Sequence, residues 1–452
     1  MSTEAKLVRH PGAPEIRSGR SCLAALLAMV VGLGGCGLFD DEERLEGARL
    51  PVRGALAETG GQQVIERALP PAVPVSAWTQ TGANAAHNGG HIAGPTGLSL
   101  IWRADAGTGA SSDGLITSAP VSDGNRVYTL DAAAEIRAFD AATGSVIWTA
   151  NLVPNEEEDG EEGFGGGLAL DGDRLVATTG FGEVLALSAA SGEVLWRRAF
   201  GAPFRAGPAV AAGRVLAVTR ASQGFALDLT DGTVLWRVQG VGADASYLGG
   251  ASPALGGGAA VVPFASGELV LLDALGGRQV WNAVITGGRR GLARSAITDL
   301  TGDPVLIGPL VVSANQSGRT AALDARTGRR VWTRRIGATA PIWAAGDSLW
   351  MVSDTADLLR LDARTGQTLW ERALPAFEDE EDREDPITYS GPVLISGRIM
   401  VTDSLGQIWS FDAVTGAGDV AAELSGGSLT GAIVSGDRLF VLDDDATLHA
   451  FR

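Results

Sequence analysis

One short pattern, Ala-Φ-Asp-x-x-Thr-Gly-x-x-Φ-Trp with Φ apolar, comes back seven times along this 452-residue chain. A repeat of that kind constrains the fold more tightly than composition does. Its cleanest copy runs from Ala138-Phe139-Asp140 through Thr143-Gly144 to Ile147-Trp148. Later copies end at Trp196, Trp236, Trp281, Trp332 and Trp370, and the last has Val420 in the tryptophan's place. Successive end positions are 48, 40, 45, 51, 38 and 50 residues apart, which is the length of one four-stranded propeller blade. Upstream of the copies stand pairs of short apolar runs joined by a glycine turn, as in Pro120-Val121 to Val127-Tyr128, Pro208 to Ala217 and Pro392 to Val401. These read as strand, turn, strand. Within the motif the aspartate can accept hydrogen bonds from the following turn, and glycine supplies the positive φ after threonine. A tryptophan fixed at one place in every repeat is predicted to wedge between adjacent blades.

The two ends of the body complement each other. Leu439 to Arg452 stops where a blade's third strand should stop, and Leu98 to Asp105, with Trp102, is an outer strand with no hairpin before it. Joining them fills the eighth motif position with Trp102 and closes the ring by antiparallel pairing between residues 98–104 and 446–452, which removes the exposed sheet edges. The predicted fold is therefore all-β: an eight-bladed propeller of four-stranded antiparallel blades over residues 98–452, about 44 residues each. Composition agrees, with 63 glycines for turns and no helical periodicity in the body. The chain carries 53 acidic against 35 basic residues, a net charge of −18, which argues against a nucleic-acid partner.

Ahead of the body lies a different kind of sequence. Lys6, Arg9, Arg17 and Arg20 precede an apolar run from Leu23 to Leu33, too short for a membrane span and right for a signal peptide. The run ends in Leu33-Gly34-Gly35-Cys36, which resembles the lipobox of bacterial lipoproteins. That resemblance implies a signal peptide over 1–35, acylation of Cys36, and, because residue 37 is glycine rather than aspartate, the outer membrane as destination. Residues 36–97, with Pro70, Pro71 and Pro74, read as lipid anchor and extended tether, with Trp78 placed to dock onto the body.

The repeat resembles that of the quinoprotein-type eight-bladed propellers, in which two functional groups share one fold. The pyrroloquinoline-quinone dehydrogenases hold their quinone under a vicinal disulfide and bind Ca²⁺. The BamB family comprises outer-membrane assembly lipoproteins that act without a cofactor as scaffolds on the periplasmic domains of BamA. Here the only cysteines are Cys22 and Cys36, so the vicinal pair is missing from the body. The lipobox, the segment Trp78 to His87, and the segment Leu292 to Pro304 are similar to parts of the BamB family. The resemblance implies a non-catalytic scaffold with no cofactor and no metal, bound to BamA and to other lipoproteins of the BAM complex on the periplasmic face of the outer membrane. A quinone-dependent dehydrogenase or a ligand-sensing propeller is the alternative.

In that family the BamA-binding surface comes from two adjacent inter-blade segments. The first corresponds to Tyr247, Leu248 and Gly249, leading to Pro253, and the second to Asp299 and Leu300, with Thr301 where the family has a second aspartate. An apolar anchor beside a hydrogen-bond acceptor suits an interface, so these five residues are the expected docking patch. His87 and His91, four apart in a glycine-rich stretch, read as surface or packing residues. The acidic runs 155–162 and 378–385 lack the spacing of a calcium loop and read as solvated loops.

Overall fold

The computed structural model describes residues 64–155, 157, 163–243, 249–289, 297–316 and 318–452. Blade 1 consists of Val121–Ser122, Arg126–Leu130, Glu135–Asp140 and Val146–Asn151, hydrogen-bonded in sequence order. Blades 2 to 7 repeat this order over 166–199, 209–239, 254–284, 300–334, 343–373 and 389–423. Blade 8 has Ile433–Ser435 innermost, then Arg438–Leu442 and Thr447–Phe451, and its outermost strand is Leu100–Asp105 from the other end of the chain. The ring closes as predicted, in a register that pairs Leu100 with Phe451, Trp102 with Ala450 and Asp105 with Thr447. Inner strands are buried on both faces, as in Gly166–Asp171 and Tyr389–Ile395, because each sheet is sandwiched by its neighbours.

The motif explains how the blades grip one another. Trp148 Nε1 donates to the Ala189 carbonyl of the next blade, and the same bond joins Trp196 to Leu229, Trp236 to Ala274, Trp281 to Ala325, Trp332 to Ala363 and Trp370 to Ala413, at 2.9–3.1 Å. Each indole also lies against the motif glycine of the following blade. A Cβ on Gly192, Gly232 or Gly328 would stand 2.5–2.7 Å from ring atoms of Trp148, Trp196 or Trp281. Glycine is needed there twice over, for a φ near +70° and for the space the neighbouring ring fills.

Residues 64–97 correct the expected tether, because they are packed across the propeller and form its base. Val75 O accepts from Gly436 N (2.9 Å) in blade 8, and Trp78 exchanges two backbone bonds with Ser122 in blade 1. Thr79 O then accepts from Leu170 N in blade 2, and the Gln80 amide bonds both the N–H and the carbonyl of Val210 in blade 3. Ala85 meets Leu255 in blade 4, Ala86 meets Leu306 in blade 5, Gly90 meets Ala344 in blade 6, and Ile92 meets Ser396 in blade 7. One segment thus bonds every inner strand, or the turn that follows it, in ring order. Trp78, docked as expected, is 3% exposed and stacks on Trp343 at 5.6 Å, filling the middle of the base. His91 Nδ1 donates to Pro70 O (2.7 Å) while its Nε2 accepts from Gly397 N (2.8 Å), so this imidazole is a packing residue with its tautomer set by two backbone groups.

Candidate interaction surface

Opposite the base lies the mouth, built from the connections between each outer strand and the next inner strand. In blades 4 and 5 two of these connections run side by side, with Ala251 N donating to Leu300 O at 3.2 Å and Ser252 N to Asp303 Oδ1 at 2.6 Å. The two segments singled out in the sequence therefore do meet. What they present differs from expectation.

Asp299 and Leu300 are both 0% exposed, so neither is a surface contact. Leu300 is packed with Ala251, Ile285 and Val311 in the core. The Asp299 carboxylate is held by Arg205, with Nη1 to Oδ2 at 2.8 Å and Nη2 to Oδ1 at 2.5 Å. Arg205 comes from the connection that leads into blade 3, and its Nη2 also reaches Leu300 O at 3.2 Å. The guanidinium occupies the space a side chain at position 250 would need, since a Cβ on Gly250 would stand 1.7 Å from Arg205 Nε. Thr301, where a second aspartate was sought, is buried too and donates its hydroxyl to Ala338 O at 2.6 Å. Gly249 is described and exposed, with φ +72°. Tyr247 and Leu248 lie outside the described residues, and so does Cys36.

A second arginine–carboxylate pair stands close by in sequence. Arg289 Nε and Nη2 meet Asp354 at 2.6 and 2.9 Å, and Asp354 Oδ1 also accepts from Gly337 N. The hydrogen bond to Asp354 raises the pKa of Arg289. Arg289 precedes, and Asp299 follows, residues 290–296, which lie outside the described set. Asp303, which accepts from Ser252 N, is buried, and that burial pushes its pKa up against the opposing pull of His87 and the Ser252 N–H. His87 is itself buried and donates from Nδ1 to Pro304 O at 3.0 Å.

Sequence reasoning did not find Arg205, Arg289 or Asp354. Arg205 and Asp299 are 94 residues apart with no repeat relation between them, so only the ring's geometry brings them together. Among the described residues no cluster of three or more His, Cys, Asp or Glu side chains could hold a metal ion. The acidic run 378–385 forms an exposed hairpin, Phe377–Asp379 with Glu384–Pro386, that belongs to no blade.

Eight four-stranded blades, tied by a recurring tryptophan and closed through the chain's own ends, define a quinoprotein-type propeller. The family model described as outer membrane protein assembly factor BamB matches residues 88–159, 132–372 and 360–452, and the chain belongs to that family. The BamB of Salmonella typhimurium is 27% identical over 206 residues, 45% of this chain and 50% of that one. The BamB of Alkalilimnicola ehrlichii is 28% identical over 210 residues, 45% and 51% of the two chains. These alignments span about half the length of the relatives. The crystal structure of BamB from Moraxella catarrhalis superimposes with a TM-score of 0.62 at 20% identity, covering 78% of this chain and 99% of that one. A quinohemoprotein alcohol dehydrogenase from Comamonas testosteroni gives 0.64 at 14% identity, covering 84% and 81%; likeness at that level is one of fold.

Proposed function

We propose that this chain is a non-catalytic scaffold of outer-membrane β-barrel assembly, anchored by acylated Cys36 on the periplasmic face of the outer membrane. Its mouth at blades 4 and 5 docks on the periplasmic domains of BamA, alongside other lipoproteins of that complex. The observation that carries this reading is the family match, which runs from residue 88 to the C-terminus. Tyr247, Leu248 and Gly249 are the contact residues, while Asp299 and Leu300 are buried beside Ala251 of the same connection and make no contact themselves. The buried Arg205–Asp299 pair fixes the connection into blade 5, because breaking a buried pair costs about 3–5 kcal/mol. Contacts made by a tyrosine and a leucine depend more on apolar burial than on charge, so binding should change little with salt. Changing Tyr247→Ser with Leu248→Glu in the full chain should abolish copurification with BamA from detergent-solubilised membranes and leave the melting temperature unaltered. Wild-type recovery of BamA with the double variant would place docking elsewhere. Cys36→Ser should release the protein from the membrane fraction, and unchanged fractionation and processing would remove the anchor from this reading.

A further inference from the structure

The residue just before the motif tryptophan is open to solvent in six blades. Ile101, Ile147, Leu195, Leu235, Val280 and Val331 are 42–49% exposed, but Leu369 of blade 6 is 1% exposed. What covers this flank is the segment 64–69 of the same chain. Ile65 N donates to Leu369 O at 3.0 Å, as an added strand would, and Val64 and Leu69 pack against the core beside it. Arg67 forms an ion pair with Asp362.

Under the same segment lies Arg360, at a motif position that is alanine in blades 1, 2, 3 and 5. It is fully buried, with Nε and Nη2 on Ser348 Oγ at 3.1 and 2.9 Å and Nη2 on Arg67 O at 2.8 Å. Its guanidinium carbon stands 5.1 Å from the Trp350 ring centroid. Nη1 has no hydrogen-bond partner, and no described carboxylate bonds this guanidinium. Burial lowers its pKa to about 10, the neighbouring Arg67 pushes the same way, and only Asp412 opposes. A buried cation is ordinarily matched by an anion; here the covering segment brings a second cation instead.

We propose that residues 64–69 occupy, as an internal stand-in, a groove on the flank of blade 6 whose ligand is an extended peptide segment bearing a carboxylate. Such a segment takes the Leu369 carbonyl with a backbone N–H, covers Leu369 with an apolar side chain, and gives Arg360 the anion it lacks. The chain's own segment holds this flank with one strand-type bond, the Arg67–Asp362 ion pair and the Arg67 carbonyl, and it sets a like charge beside Arg360, whereas residues 75–92 are bonded blade by blade. This groove is separate from the mouth.

The test uses the full chain and a fluorescent eight-residue peptide alternating valine and glutamate, with a valine–glutamine peptide as control. Ile65→Pro removes the N–H given to Leu369, and Arg67→Ala removes the ion pair, so the double variant frees the groove. Its affinity for the glutamate peptide should exceed the wild type's by about tenfold, because occupancy by the internal segment no longer reduces the open fraction. The glutamine peptide should bind neither protein, and Arg360→Met in the double variant should abolish binding. Equal binding of the two peptides, or no binding to the opened variant while it keeps a cooperative melt, would overturn the proposal and leave residues 64–69 as packing. The peptide pair keeps the outcome readable if Arg360→Met fails to fold.

Discussion

Six successive blade boundaries, from 1|2 through 6|7, are held by the same device, and the boundary between blades 7 and 8 is held by another. At each of the six, an indole bonds across to the next blade's turn and rests on its glycine. At the 7|8 boundary Val420 replaces the tryptophan, and the turn that would receive it does not exist, because blade 8's third strand ends at Phe451 and its outer strand comes from residues 100–105. Bonds to the connection that leads into blade 8 serve instead: Ser390 Oγ donates to Leu429 O at 2.6 Å, Thr402 Oγ1 to Thr430 O at 3.4 Å and Ser428 N to Asp403 O at 2.9 Å, while within blade 8 Ser99 and Arg452 exchange backbone bonds at 2.9 and 3.0 Å. The tryptophan is therefore kept where a motif turn follows, at these six boundaries and again at Trp102, whose ring lies against Gly144 of blade 1, and is absent at Val420, which no such turn follows.

The largest loss should follow from opening blade 8 where the two ends of the body pair. Deleting Ala446–Arg452 removes the strand between Arg438–Leu442 and Leu100–Asp105 with buried Leu448 and Phe451. At about 1.5–3 kcal/mol per large buried side chain, several kcal/mol should be lost in thermal melting, and an unaltered melt would deny closure through this strand. Next come the exchanges of device. Trp281→Val should cost about 3 kcal/mol, whereas Val420→Trp, with no glycine turn to rest on, should stay within about 1 kcal/mol of zero; clear stabilisation by Val420→Trp would show that the 7|8 boundary can use the regular device. A smaller effect separates two glycines of similar φ. Gly328→Ala meets the Trp281 ring and should cost about 1–3 kcal/mol in overpacking beyond its left-handed strain. Gly213→Ala, with φ +73° and nothing within 4 Å, should show only the strain of about 1–2 kcal/mol.

The smallest expected effect distinguishes turns within the regular set. The Thr327 hydroxyl, its N–H, and nearby Arg326 hold Asp324 below the usual carboxylate range, and the Thr143 hydroxyl does the same for Asp140. A depressed folded pKa contributes stability above the unfolded value, about 3.9, and that stability is lost as pH falls through the folded one. Blade 2 has Ser188 at this place, accepting from Ser191 N at 3.3 Å. Hydrogen exchange should therefore show the Thr327 amide losing protection in acid relative to Ser191, and parallel behaviour of the two would remove the carboxylate from the account.

The fold was legible because the motif states its own period, and because Trp102 and Val420 mark where the period is interrupted. The glycine was only half legible. Its positive φ follows from Thr143-Gly144, but its contact with the preceding blade's indole requires the ring. The base segment was read as a tether because its bonds go singly, largely from backbone, to eight different strands, which leaves no periodicity for a sequence to display. At the mouth, the adjacency of 249–253 and 297–304 followed from their place before consecutive blades. The burial of Asp299 did not, since its partner Arg205 belongs to a blade two positions away.

The base segment also has a consequence for the order of events in synthesis. Val75 and Ser76 are bonded to Gly436 and Ser435, so these early residues have no partner until nearly the whole chain has been made. Chains emerge N-terminus first, and contacts across so many residues are slow to form. Part of the segment translated earliest is thus the last to be seated, and until then Gly436 N and Ser435 Oγ of blade 8 lack the Val75 and Ser76 carbonyls as acceptors.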